Sequence, residues 1–102
     1  MKFTVYQINT ERDENRLLFM DYESTMRRVG KIDMGIYDKV YEGETKRIRN
    51  DDERTLESIY VELNTYRHQY PDFKGHSLSV SDVVELPSGR WFCDHVGWEK
   101  VT

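Results

Sequence analysis

A chain of 102 residues has room for one domain and one core. Nineteen acidic residues against fifteen basic ones give a formal net charge of −4, which excludes a generally basic nucleic-acid coat but leaves room for a local basic patch. Apolar residues make up 37% and aromatic residues 13%, so seven Tyr, four Phe and two Trp must carry much of the burial, and collagen, disulfide-scaffold and low-complexity classes are excluded.

Residues 3–8 are rich in β-branched and aromatic side chains and read as a strand. Leu17-Leu18-Phe19-Met20 is a continuous apolar run. It reads as a strand covered on both sides, although period alone does not separate it from helix. The polar stretch between the two runs would then be a hairpin loop. In residues 21–29, Tyr22, Met26 and Val29 share one helical face, and Gly30 is placed to cap the C-terminus. Residues 36–42 alternate, with Ile36, Asp38 and Val40 on one face and Tyr37, Lys39 and Tyr41 on the other, which predicts a strand.

The clearest helix carries Leu56, Ile59, Tyr60 and Leu63 at i, i+3, i+4, i+7. Asp51, Asp52 and Glu53 suit its N-terminal dipole, with Asn50 or Thr55 as the cap. Its start lies at Asp51 or Leu56, and its end near Gln69, ahead of Pro71. Three strands follow, at 83–86, 91–96 and 98–101. Pro87-Ser88-Gly89 supplies the first turn and Gly97 a bend. The order β-β-α-β-α-β-β-β predicts an α+β fold. A small mixed or antiparallel sheet would pack against one long and one short helix, with barrel-like closure of the C-terminal strands as an option.

Cys93 is the single cysteine. It can form neither an internal disulfide nor a CxxC site, and it reads as a small core hydrophobe in a reducing, cytoplasmic setting. The first residues lack a signal-peptide apolar region. No apolar run approaches the roughly 18 residues that span a bilayer. The expectation is a soluble domain over residues 1–102 with no membrane role.

Three side-chain sets have chemical potential. Gly75, His76, Ser77, Ser79, Ser81 and Asp82 hold the residue types of a nucleophilic site, in which His76 would activate Ser77 or Ser79. No glycine-flanked nucleophile elbow accompanies them. The simpler reading is a turn at Gly75 with φ > 0, after which Ser and Asp side chains bond local backbone N–H groups. In an extended chain Leu78 and Val80 would then face the core and the serines the other side.

Lys46, Arg47 and Arg49, with Arg27, Arg28 and Lys31, could build a phosphate-facing patch beside Tyr37, Tyr41, Trp91 and Trp98. The alternative is a solvated loop whose charges cancel. His68, His76 and His95 lack metal-ligand spacing, and Cys93 with His95 supplies too few ligands, so no metal or cofactor is expected. Scattered glycines exclude P-loop and dinucleotide fingerprints.

The run from Phe73 through Gly75-His76-Ser77-Leu78-Ser79-Val80-Ser81-Asp82 to Leu86 resembles the signature of the YodL-like domain family. The ending Asp94-His95-Val96-Gly97-Trp98 is similar to the family's aromatic-Gly-aromatic close. Residues 37–43 and 55–60 also resemble it, whereas the basic loop at 46–49 and the helix tail at 66–70 depart from it. The resemblance implies a small bacterial domain of uncharacterised biochemistry, of a kind found on plasmids, phages and other mobile elements. It supplies no catalytic residue. Together these features predict a non-catalytic binding or accessory module that acts on a protein partner. A nucleic-acid-binding role and a small hydrolase are the alternatives.

Overall fold

Strand β1, Lys2–Ile8, lies second in a five-stranded antiparallel sheet, and the computed structural model describes the chain from residue 1 to residue 102. The other strands are β2 (Tyr37–Glu44), β3 (Val83–Leu86), β4 (Gly89–Cys93) and β5 (Trp98–Lys100), in spatial order β2-β1-β3-β4-β5. Neither β2 nor β5 pairs with the other, so the sheet is open and the C-terminal strands do not close a barrel.

Helix α2, Asp52–Thr65, packs Leu56, Ile59 and Leu63 onto one sheet face, against Phe3, Val5, Val84, Leu86, Cys93 and Trp98. Tyr60 is only half-buried at the edge of this core. Helix α1, Tyr22–Val29, and the irregular chain around it cover part of the other face, where Leu17 joins Ile8, Tyr37, Val83 and Phe92. The result is a three-layer α+β arrangement.

Local chemistry explains most element ends. Asp21 caps α1 through Ser24 N–H, and Gly30 closes it in the left-handed region at φ 74°. Asp51, rather than Asn50 or Thr55, caps α2, accepting from Arg54 N–H. Asn50 sits just outside with φ 54°. Thr55 is fully buried; its hydroxyl donates to the Asp51 carbonyl and accepts from Ile48 N–H, which ties the preceding loop to the helix. α2 stops at Thr65, and residues 67–69 form a separate 3₁₀ turn, so the helix is shorter than its apolar period suggests.

Three further expectations are corrected. Leu17-Leu18-Phe19-Met20 is a turn, not a strand: the Asp13 carboxylate accepts from Leu17 and Leu18 N–H at 2.8 and 3.0 Å, and Phe19 takes φ 66°. In β2 a bulge shifts the register between Val5 and Tyr6 of β1, so that Tyr37 and Tyr41 serve opposite faces instead of one. β4 ends at Cys93; residues 94–97 form the turn to β5, closed by Asp94 N–H on the Gly97 carbonyl at 3.0 Å.

Candidate functional site

Residues 75–82 close over the end of the α2-facing sheet surface. On β1, Phe3 and Val5 are apolar, and the next residue on that face is Gln7, which is buried. A buried amide needs its bonds satisfied. Gln7 Oε1 accepts from His76 N–H at 3.1 Å, while Nε2 donates to the His76 carbonyl and to Asp82 Oδ2, both at 2.9 Å. Gly75 is a glycine because a Cβ would overlap Gln7 Oε1. Its φ is not positive, which corrects the expected left-handed turn.

Two groups near the end of α2 grip the same segment. Asn64 forks onto Leu78, donating to its carbonyl at 2.9 Å and accepting from its N–H at 2.8 Å. Arg67 donates to the Gly75 carbonyl and lies over the Phe73 ring, 4.5 Å from its centroid. Leu78 fills the core against α2 as expected, whereas Val80 is half-buried and lies outside that core, because the segment is folded into turns and does not run extended.

The left-handed residue is Ser81, with φ 81° and no exposed surface. Its Oγ accepts from Phe19 N–H at 2.9 Å, and its carbonyl accepts from Tyr37 O–H at 2.6 Å. Two non-glycine residues with positive φ, Phe19 and Ser81, are thus bonded to each other. Each such conformation costs on the order of 1–3 kcal/mol and persists only where surroundings enforce it.

Asp82 is fully buried. Its Oδ2 accepts from Gln7 and from Ser79 N–H at 2.8 Å. Burial pushes its carboxyl up to about 8, outweighing the lowering by those two donors. Its Oδ1 has no hydrogen-bond partner. Facing it at 4.0 Å is His76 Nε2, also buried and also unpartnered. Tyr37 is raised above the ordinary phenol range by burial first and then by Asp82 and Asp13. The Cys93 thiol is pushed up to about 12, again mainly by burial.

The residues of the hydrolase alternative are brought near one another, but their bonds run elsewhere. Ser79 Oγ donates to the Ser77 carbonyl at 2.8 Å, and His76 Nδ1 lies 2.7 Å from that same carbonyl. No serine hydroxyl hydrogen-bonds the imidazole. His68 and His95 are exposed and make no hydrogen bond within this network, and no group of three or more His, Cys, Asp or Glu is placed to hold a metal ion.

The basic residues separate. Lys46, Arg47 and Arg49 are exposed in the loop leading to α2, with Arg47 on Asp52 at 3.3 Å. Arg27 and Arg28 lie on α1, and Lys31 just beyond it, in the opposite layer. Tyr37 and Trp98 are buried, Tyr41 stacks on Phe73, and Trp91 is half-buried beneath Lys100.

An exposed apolar surface adjoins the polar network. Phe19 is 56% exposed, with its ring edge against His76 at 5.2 Å between centroids. Phe19, Met20, Val80 and His95 line a shallow concavity of about 470 Å³ together with Asp21, Ser24 and Arg28. Val96, which follows His95, is 86% exposed. Sequence reasoning missed Gln7, Asn64 and Phe19 as parts of this site. For Gln7 a signal existed, since it interrupts the apolar side of β1.

Compared with known proteins, the chain matches the family model of the YodL-like domain over residues 2–102. No curated protein and no solved structure matches it. None of its helices is long and apolar enough to cross a membrane.

Proposed function

The chain belongs to the YodL-like domain family, and from its surface we propose that it is a non-catalytic module that binds a protein partner through Phe19, Val80 and Val96. The setting is the bacterial cytosol, where it serves as an accessory of proteins carried by mobile elements.

One observation carries the reading: Phe19 is an exposed aromatic held in a left-handed conformation by a buried serine. A flexible turn would let the ring fold inward. Here the backbone is tied so that the ring stays out. Strain of this kind collects at binding sites, and exposed aromatic anchors carry much of the energy of protein interfaces. The half-buried Val80 and Met20 line the same concavity and widen the apolar surface beyond a single exposed side chain, and the exposed Val96 follows His95, which also lines it.

The test is a photo-crosslinking amino acid placed at position 19 or 96 in the native host, with Val61 on the opposite helical layer as the control. Discrete adducts from 19 and 96, and none from 61, are expected. Adducts from 61 alone, or none from any position, would contradict the reading.

A further inference from the structure

We infer that His76 and Asp82 hold one proton between them, Asp82 Oδ1–H donating to His76 Nε2, and that this proton latches residues 75–82 onto Gln7 and beneath Phe19. Hydrogen-bond arithmetic carries the inference. The two Gln7 Nε2 hydrogens are spent on the His76 carbonyl and Asp82 Oδ2. They leave nothing for His76 Nδ1, which lies 3.4 Å from that nitrogen. Nδ1 instead faces the Ser77 carbonyl at 2.7 Å, an oxygen that only accepts, so Nδ1 carries a hydrogen and donates it. In the neutral imidazole Nε2 is then a lone pair.

That lone pair points at Asp82 Oδ1, 4.0 Å away, and both atoms are buried without another partner. Asp82 Oδ2 already accepts two N–H bonds, which makes it the carbonyl-like oxygen and leaves Oδ1 to bear the proton. A small rotation of the imidazole, whose side chain is 36% exposed while Asp82 is fully enclosed, brings the pair to hydrogen-bond length. Remove the proton and no tautomer satisfies the site. With hydrogen on Nδ1, Nε2 opposes a carboxylate. With hydrogen on Nε2, Nδ1 opposes the Ser77 carbonyl. The ring must leave, and the proton goes to solvent.

The other groups around the pair keep their charge near neutrality. Cys93 on β4 and Tyr37 on β2 both hold their protons, being raised by burial, and Asp13 lies toward Tyr37. Arg67 supplies a fixed positive charge on the Gly75 carbonyl. Burial of Asp82 sets the release near pH 8. The ring that leaves is the one Phe19 packs on, so the docking surface loosens as pH rises; this last step alone rests on the binding reading.

The test is an NMR titration of the purified domain from pH 5 to 10, following the Asp82 carboxyl carbon, the His76 ring nitrogens and Phe19 amide exchange. The Asp82 carboxyl should titrate with a midpoint near 8, and below it the His76 ring nitrogens should show hydrogen on Nδ1 and none on Nε2. Above it, Phe19 exchange, corrected for base catalysis, should rise about tenfold per pH unit, since one proton is released. In Asp82→Asn an amide takes the place of the protonated carboxyl, donating where Oδ1–H did, and Phe19 protection should no longer depend on pH. An Asp82 carboxyl that titrates near 4, or a hydrogen found on His76 Nε2 in the closed state, would overturn the latch. If Asp82→Asn does not fold, the wild-type titration decides alone. A titration as described with no crosslink from Phe19 would remove the binding reading and leave the latch standing.

Discussion

At position 75 a single methyl group is enough to disturb the site, because a Cβ there would overlap Gln7 Oε1. Gly75→Ala should therefore cost ~1–3 kcal/mol as an overpacking defect, read as a lower urea midpoint. Ser81 offers a sharper comparison. Ser81→Ala keeps the φ of 81° and strands the Phe19 N–H, whereas Ser81→Gly loses the same bond but relaxes the backbone. The glycine variant should be the more stable of the two in denaturation. Equal stability would mean that the φ carries no strain.

The Asp82 carboxyl also sets a pH dependence whose sign is opposite to ordinary acid unfolding. Its value is raised in the folded state from 3.8 to about 8, so the unfolded chain ionises first. The stability it contributes is complete below about pH 4 and is lost progressively as pH rises to about 8. Denaturation midpoints of wild type minus Asp82→Asn, measured from pH 5 to 9, should fall with pH. A rising difference would mean a carboxylate stabilised by its surroundings.

Among the elements, α2 does more than cover the sheet. Through Asn64 it holds both backbone groups of Leu78, and Asn64→Ala leaves them buried and unpaired. The expected cost is ~1–3 kcal/mol. Leu78→Ala opens a cavity under the same helix and should cost ~2–5 kcal/mol. Both changes are checked by chemical denaturation.

The elements also show what sequence can reveal. The apolar face and the Gly30 cap of α1, the core face of α2 and the β3–β4 hairpin were legible, because each depends on neighbours within a few residues. The run at 17–20 was misread because its backbone is organised by Asp13 and Ser81, one nearby and one far along the chain. The bulge in β2 leaves no mark in its alternation; only pairing with β1 reveals it. In the site, Asp82 was expected to bond a local backbone N–H, and Ser79 N–H supplies that bond. Its longer-range partner, Gln7, lies 75 residues away and could not be read from spacing.

At the scale of the molecule, three layers leave one face of chemistry open. The α2 side is closed by Leu56, Ile59 and Leu63, and the polar network is sealed beneath residues 75–82. What reaches solvent beside that network is Phe19, in a conformation the interior enforces. Under the proposed binding role, the interior holds this side chain in water so that a partner can cover it together with its apolar neighbours. The most direct measurement is the fraction of the domain found in a complex in an extract of its own host, for wild type, Phe19→Asp and Val61→Asp. Circular dichroism would verify that each variant is folded. Wild type and Val61→Asp should run as a complex, and Phe19→Asp at the mass of the free domain. A folded Phe19→Asp that stays in the complex would contradict the account.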